Sequence, residues 1–326
     1  MATKTEQKIY GAAAVLAVLL GGLYLVQKSE REDAKLHASS AASAALPDVK
    51  LSADDADKIT KLVIKNAGKD EVELEKQGDT WKVAKPVSFA ANQQNVKSLL
   101  DNLKEIKLKD VIDNGKTQYA TYDLGDDKSV HVEAYKDATK AVDLYFGKSG
   151  TRGQMTRVAD KDGVFVATGY SSYLYARDVK DWRDRDILKF DDANVVTVEL
   201  NNENGAFSFA KTGDAWTANF KGRAIKSFDP DKLKDMLRAY KGLTAEDFAD
   251  GKSTAETGLD KPATVTITAK DSGLVKLLVG KTSTGSSRYA QKEDIPTIYV
   301  VSSYAADWAV AGESKFQKLE NKDGGK

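Results

Sequence analysis

The chain has 326 residues, and its 49 Lys plus Arg balance 49 Asp plus Glu, so there is no net field to recruit nucleic acid or an acidic surface. It contains no cysteine, which removes disulfides, thiol catalysis, Cys-ligated zinc and lipid attachment through an N-terminal cysteine. The length exceeds the roughly 100 to 200 residues usual for one domain and points to two.

One long apolar run, IYGAAAVLAVLLGGLYLV, is bounded by Ile9 and Val26 and lies between Lys8 and Gln27-Lys28. Its 18 uncharged residues would make about 27 Å of helix, near the roughly 30 Å of a bilayer core. Tyr10 and Tyr24 stand near its ends, where amphipathic rings favour the membrane interface. A cleaved signal peptide is the rival reading. The small-residue pattern Ala42-Ser43-Ala44 lies too far downstream for that, with six charged residues from Lys28 to Lys35 in between. An uncleaved single-pass anchor in a bacterial inner membrane is therefore expected, with the folded part on the periplasmic side. Within the run, Ala13, Ala17 and Gly21 recur every fourth residue, a strip on which another transmembrane helix could pack closely.

Charged and then Ala/Ser-rich sequence follows to about Asp57 and reads as a tether, or alternatively as a partly helical stalk. Beyond it the chain is written twice. Leu62 and Ile64, Val72 and Leu74, then Trp81 and Val83 alternate between turns at Asn66-Ala67-Gly68 and Gln77-Gly78-Asp79, a three-stranded meander. Val198 and Leu200, Phe207 and Phe209, and Trp216 repeat it, and Lys76-x-Gly78-Asp79-x-Trp81 matches Lys211-x-Gly213-Asp214-x-Trp216.

Each meander leads into one amphipathic helix. Val96, Leu99, Leu100, Leu103 and Ile106 mark the first, and Leu233, Met236, Leu237, Tyr240 and Leu243 mark the second at the same spacing. Asn92 and Asp229 are the expected N-caps. A hairpin comes next, YDLGDDKSVHVEAYKDATKAVDLYFGK from Tyr122 against TGLDKPATVTITAKDSGLVKLLVGK from Thr257. Aligned by residue type, Leu124 answers to Leu259, Val130 to Val265, Val132 to Ile267, and Gly147-Lys148 to Gly280-Lys281, which places a two-residue length difference in the hairpin turn. A further strand pair and a segment opening Ser-Ser-Tyr, at Ser171 and at Ser302, close each copy.

The expected fold class is α+β: an N-terminal transmembrane helix followed by two tandem repeats, each a mainly antiparallel sheet of meander plus hairpins packed with one amphipathic helix. The expected limits are 1–8 for a short tail, 9–26 for the anchor, 27–57 for the tether, 58–190 and 191–319 for the repeats, and 320–326 for a disordered tail.

Gly147-Lys148-Ser149 and Gly280-Lys281-Thr282 are no P-loop, because the position that must open the anion nest with glycine is Val142 or Val275, inside a strand. A strand-end turn is the reading that remains. His37 lies in the tether, and His131 is expected on a strand surface without converging ligands. Asp160-Lys161-Asp162-Gly163 lacks the first ligand and the closing Glu of a calcium loop and reads as a β-turn. Trp81 and Trp216 could stack on a sugar, but their matched places beside Gly-Asp turns favour core anchors. Catalytic, cofactor and metal residues are accordingly expected to be none. Trp182, Arg183, Arg185 and Tyr289 are the candidates for an inter-repeat contact or a ligand site.

The order of several motifs carries a resemblance. Gly258-Leu259-Asp260-Lys261-Pro262, Val279-Gly280-Lys281, Gly285, Arg288-Tyr289-Ala290 and Ile298-Tyr299-Val300 take part in it. So do Gly78-Asp79-x-Trp81 and Arg183-Asp184-Arg185-x-Ile187-Leu188. Together they resemble the bacterial family called domain of unknown function 4340. The resemblance implies a single-anchor envelope protein with an auxiliary role near an ABC-transporter permease, and it supplies no catalytic residues. The first repeat departs from the pattern, with Tyr122-Asp123-Leu124-Gly125-Asp126 at the Gly-Leu-Asp-Lys-Pro turn. The expected function is a non-enzymatic membrane-anchored accessory or scaffold, with the lipid bilayer and an integral-membrane permease as partners. The alternative is an envelope binding module for a glycan or peptide, sited between the repeats. A third, an enzyme working with carboxylates alone, has no identifiable pair.

Overall fold

The computed structural model describes Lys28, residues 46–271 and residues 273–319. The expected anchor at 9–26, its strip Ala13, Ala17 and Gly21, most of the tether and the tail at 320–326 lie outside the described residues. Among the described residues no helix is long and apolar enough to cross a membrane.

The chain divides into two compact units, one ending at Asp184 and one beginning at Arg185. The first opens earlier than the sequence reading placed it. Helix α1 (Ala53–Asp57) is N-capped by Ser52, and Leu51, Ala56 and Ile59 are buried in the core of that unit. Its strands are β1 (Lys61–Lys65), β2 (Val72–Gln77), β3 (Thr80–Lys85), β4 (Phe89–Ala90), β5 (Lys107–Asp113), β6 (Val130–Lys136), β7 (Thr139–Gly150), β8 (Gly153–Val158) and β9 (Val164–Thr168). They form one antiparallel sheet in the order β4-β3-β2-β1-β6-β7-β8-β9-β5.

The second unit holds β10 (Val195–Asn202), β11 (Gly205–Thr212), β12 (Ala215–Phe220), β13 (Arg223–Ala224) and β14 (Asp247–Phe248). It continues with β15 (Ala263–Ala269), β16 (Gly273–Thr282), β17 (Arg288–Lys292) and β18 (Tyr299–Val301). Its order, β13-β12-β11-β10-β15-β16-β17-β18-β14, is that of the first sheet moved on by nine strands. The fold is thus α+β with two nine-stranded antiparallel sheets and few, short helices, and the units are two copies of one topology.

In the first copy α2 (Gln93–Glu105) buries Val96, Leu99 and Leu103, the stripe its 3.6-residue period laid out, against Leu62, Ile64, Leu74, Val83 and Leu144. Asn92 caps it by accepting a hydrogen bond from Asn95 N at 3.0 Å. Two short helices, α3 (Ser172–Tyr175) and α4 (Val179–Trp182), finish the unit and bury Tyr175 and Trp182 in the same core. In the second copy α5 (Pro230–Tyr240), capped by Asp229, buries Leu233, Met236 and Leu237. The helices α6 (Thr254–Thr257) and α7 (Ser303–Ala309) follow. Phe316 closes this core on Phe207, Phe209 and Trp308 with ring centroids 5.4, 4.9 and 5.7 Å away.

The meander turns came out as written. Gly78 and Gly213 hold φ of 58° and 59°, a left-handed backbone that glycine adopts without steric cost. Strands β5 and β14 were not singled out in the sequence. In β5 the register shifts twice against β9, which breaks the period of two, and β14 has only two residues.

The placement of the length difference between the copies is corrected by the register. Ala134 pairs with Val142 and Val132 with Leu144 in the first hairpin, while Ile267 pairs with Val275 and Val265 with Leu277 in the second. The innermost strands fix the same frame, since Leu62 and Ile64 pair with Ala134 and Val132 as Val198 and Leu200 pair with Ile267 and Val265. Val132 therefore corresponds to Val265, not to Ile267, and the hairpin arms have equal length. The two extra residues of the first copy lie between Leu124 and β6, in residues 125–129, where the second copy has only Asp260-Lys261-Pro262. Alternating Val, Ile and Thr made the two frames indistinguishable by residue type.

Candidate functional site

The Gly-Lys pair, expected as a strand-end turn, lies instead inside the second strand of the hairpin in both copies. Gly147-Lys148 and Gly280-Lys281 lie where the register of β7 on β8 and of β16 on β17 shifts, between Phe146 and Ser149 and between Val279 and Thr282. A Cβ on Gly147 would stand 2.1 Å from the carbonyl oxygen of Tyr122, and one on Gly280 would stand 2.2 Å from that of Thr257. The segment before the hairpin thus crosses the bulge so closely that only glycine fits. At the crossing the backbone turns left-handed, at Asp123 (φ 53°) in the first copy and Gly258 (φ 73°) in the second. Leu124 and Leu259 then each dock into a small cluster beside the main core, with Met155 and Val166 in one copy and with Ile298 and Tyr289 in the other. The neighbouring strand completes the turn: Gln154 Nε2 donates to the Gly147 carbonyl at 2.7 Å, and Arg288 Nη1 donates to the Gly280 carbonyl at 3.2 Å.

The charges at this shared locus differ. In the first copy the Lys148 ammonium donates to the Thr121 carbonyl at 2.7 Å and lies 3.5 Å from the Asp123 carboxylate. The Asp126 carboxylate, in the longer link, pairs with Arg157. In the second copy the place of Asp123 is taken by Gly258, and among the described residues neither Lys281 nor Lys261 has an ion-pair partner. Both lysines are exposed and Arg288 is half-buried. With Asn201, Glu203 and Asp260 these three cations line a cavity of about 500 Å³. Its far wall is fixed by the β10–β11 hairpin, where Asn202 Nδ2 donates to the carbonyls of Ala309 at 2.9 Å and Ala311 at 3.0 Å. Gly258 is also the C-cap of α6, whose N-terminus carries a capping box of Ser253 and Glu256. Eight residues of the family-like pattern, among them Gly258, Asp260, Lys261, Lys281 and Arg288, converge on this cavity. In sequence they were visible only as separate motifs.

Of the residues singled out in sequence, Trp182 is fully buried in the first core, and Arg183, 2 % exposed, holds its guanidinium 4.3 Å over the Phe89 ring. The Arg183 backbone bridges to Ala91 beside β4. Arg185 belongs to the second unit, where its carbonyl accepts from Ala245 N at 2.8 Å. Tyr289 packs half-buried against the Leu259 cluster in the same unit. Trp81 sits in the first core, whereas Trp216 is only half-buried.

The pairing of β6 on β7 sets His131 opposite Tyr145 and Glu133 opposite Asp143. His131 stacks on Tyr145 with centroids 3.8 Å apart, its Nε2 is 2.7 Å from Asp143, and Arg157 lies 3.3 Å over the other face of Tyr145. It is more embedded than the plain surface residue expected. His131, Glu133 and Asp143 gather as metal ligands could. The Lys140 ammonium, however, already binds both carboxylates, and its hydrogen bonds to Asp143 and Glu133 hold it above the usual lysine range. The cluster is thus a cross-strand ion-pair network whose carboxylates are already held by a lysine.

Comparison with family models finds one described as domain of unknown function (DUF4340), matching residues 81–262 and 255–319. Comparison with curated proteins and with solved structures finds no match.

Proposed function

Because this chain belongs to the family described as domain of unknown function (DUF4340), we propose that it is a non-enzymatic, single-pass envelope protein that serves as an accessory or scaffold to an integral-membrane permease. The anchor in this reading is the apolar run at 9–26, and the two α+β repeats stand on the periplasmic side. The observation that carries the reading is the duplication itself. Two copies of one nine-strand order give two broad sheets, and ionisable side chains of the first are tied to one another, as Lys140 is to Glu133 and Asp143. Such construction suits a spacer and contact platform. Ala13, Ala17 and Gly21 are the proposed helix-packing strip toward the partner.

The test is affinity purification of the full-length chain from mild detergent, beside a variant with Leu at Ala13, Ala17 and Gly21, followed by mass spectrometry. A permease that accompanies the native chain and is lost from the variant is the expected result. Recovery of the native chain as a lone monomer would overturn the reading.

A further inference from the structure

The two copies of the glycine turn act as controls for each other. In the first, Lys148 stands beside a carboxylate of its own chain, Asp123, at 3.5 Å. In the second that carboxylate is replaced by Gly258, and the link to the next strand is shorter by two residues. Lys281 there lines an open cavity together with Lys261 and Arg288.

We propose that this cavity of the second repeat binds a small carboxylate ligand, whose carboxylate takes beside Lys281 the place that the Asp123 side chain takes beside Lys148. Three observations lead there. First, the copies share the bulge, the glycine, the left-handed turn and the strand that closes it, so the loss of the internal acid is a local change on a conserved frame. Second, neither lysine has a direct ion-pair partner among the described residues, and the Glu256 carboxylate acts on Lys281 only from beyond contact distance. Third, the cavity of about 500 Å³ falls within the roughly 300 to 1,000 Å³ of small-molecule pockets, too large for a lone ion. Glu203 and Asp260 on its rim leave three cations against two carboxylates, a balance that favours a ligand with few negative charges over a highly charged one. Arg288 keeps one donor on the Gly280 carbonyl, which fixes the guanidinium, and its remaining donors suit the two oxygens of a carboxylate.

The experiment is isothermal titration of the full-length protein in detergent at low ionic strength, with glutarate in one arm and inorganic phosphate in another. Saturable one-site binding of glutarate is expected. The double variant Lys261→Gln, Lys281→Gln should weaken it by about tenfold or more, since two charge-assisted contacts are removed. Lys148→Gln, at the matching place in the first repeat, should leave it unchanged. Both lysines of the double variant are exposed, so an unaltered thermal unfolding curve is expected and separates lost binding from lost folding. The proposal is overturned by the absence of saturable glutarate binding, by equal affinity in the double variant, by an equal loss in Lys148→Gln, or by phosphate binding tighter than glutarate.

Discussion

The first and second repeats share one strand order and one glycine bulge, yet they treat the charge at that bulge in opposite ways. The first closes on itself, with Asp123 beside Lys148 and Asp126 on Arg157. The second leaves Lys261 and Lys281 lining a cavity. Packing constraints have kept the frame, because a Cβ at Gly147 or Gly280 would collide with backbone. The exposed side chains around that frame were under no such constraint and diverged. Duplication thereby separates what the fold needs from what was available for function.

The largest effects should come from the parts the copies share. Leu99 and Met236 are buried at equivalent places on the two amphipathic helices. Replacing either with Ala should cost about 3 kcal/mol, from lost transfer energy and the cavity left behind. Segment-resolved hydrogen exchange should show the loss within the helix and sheet of the altered copy. A loss spread evenly over both copies would break the description of two separate cores.

Gly147→Ala and Gly280→Ala come next. The obstructing atoms are carbonyl oxygens at 2.1 and 2.2 Å, which cannot rotate away as a side-chain tip could. Each substitution should destabilise by about 2 to 3 kcal/mol, the range for overpacking a tight site. The two values should agree within the error of urea unfolding. A tolerated alanine in either copy would show that the crossing segment yields there, and the shared frame would fail at that point.

These glycines also mark where sequence reading stopped. The meanders, both helices with their caps and the doubling of the domain were legible, because period and turn chemistry are local properties. The Gly-Lys pair reads in sequence as a strand-end turn, whereas it is a bulge inside β7 and β16, and the reason for glycine lies in contact with residues some two dozen positions earlier. The frame of the hairpin was misjudged by two residues, since Val130, Val132, Val265 and Ile267 are interchangeable as strand residues. Only pairing to β1 and β10 settles which faces which. The cavity was unreadable for a related reason: Asn201, Lys261, Lys281 and Arg288 come from four separate stretches, and what distinguishes the second copy is a missing acid.

Helix caps give a smaller effect. Asn92→Ala and Asp229→Ala should each cost about 1 kcal/mol, since each side chain satisfies one backbone N–H of the first helical turn. Urea midpoints check this. Asp229 reaches Asp231 N at 3.1 Å whereas Asn92 reaches Asn95 N at 3.0 Å, so near equality would indicate that either geometry suffices.

The smallest effect distinguishes the copies by acid. Glu73 on β2 is largely buried and accepts a hydrogen bond from Lys85 at 2.7 Å, which holds its carboxyl below the ordinary value of 4.5. A carboxyl depressed on folding contributes stability that is fully present above its unfolded pKa and is lost as pH falls through the folded one. The first repeat should therefore lose a small increment of stability below about pH 4.5, and Glu73→Gln should flatten that limb. The register places Ser208 at the matching position of the second repeat, opposite Glu199 as Glu73 is opposite Val63. No hydroxyl titrates in this range, so this limb should be missing from the second repeat. Hydrogen exchange of β1 to β3 against β10 to β12, followed from pH 6 to pH 3, measures the difference. Equal acid sensitivity in the two meanders, unchanged by Glu73→Gln, would mean that the Glu73–Lys85 pair is too well solvated to matter, as many partly exposed pairs are.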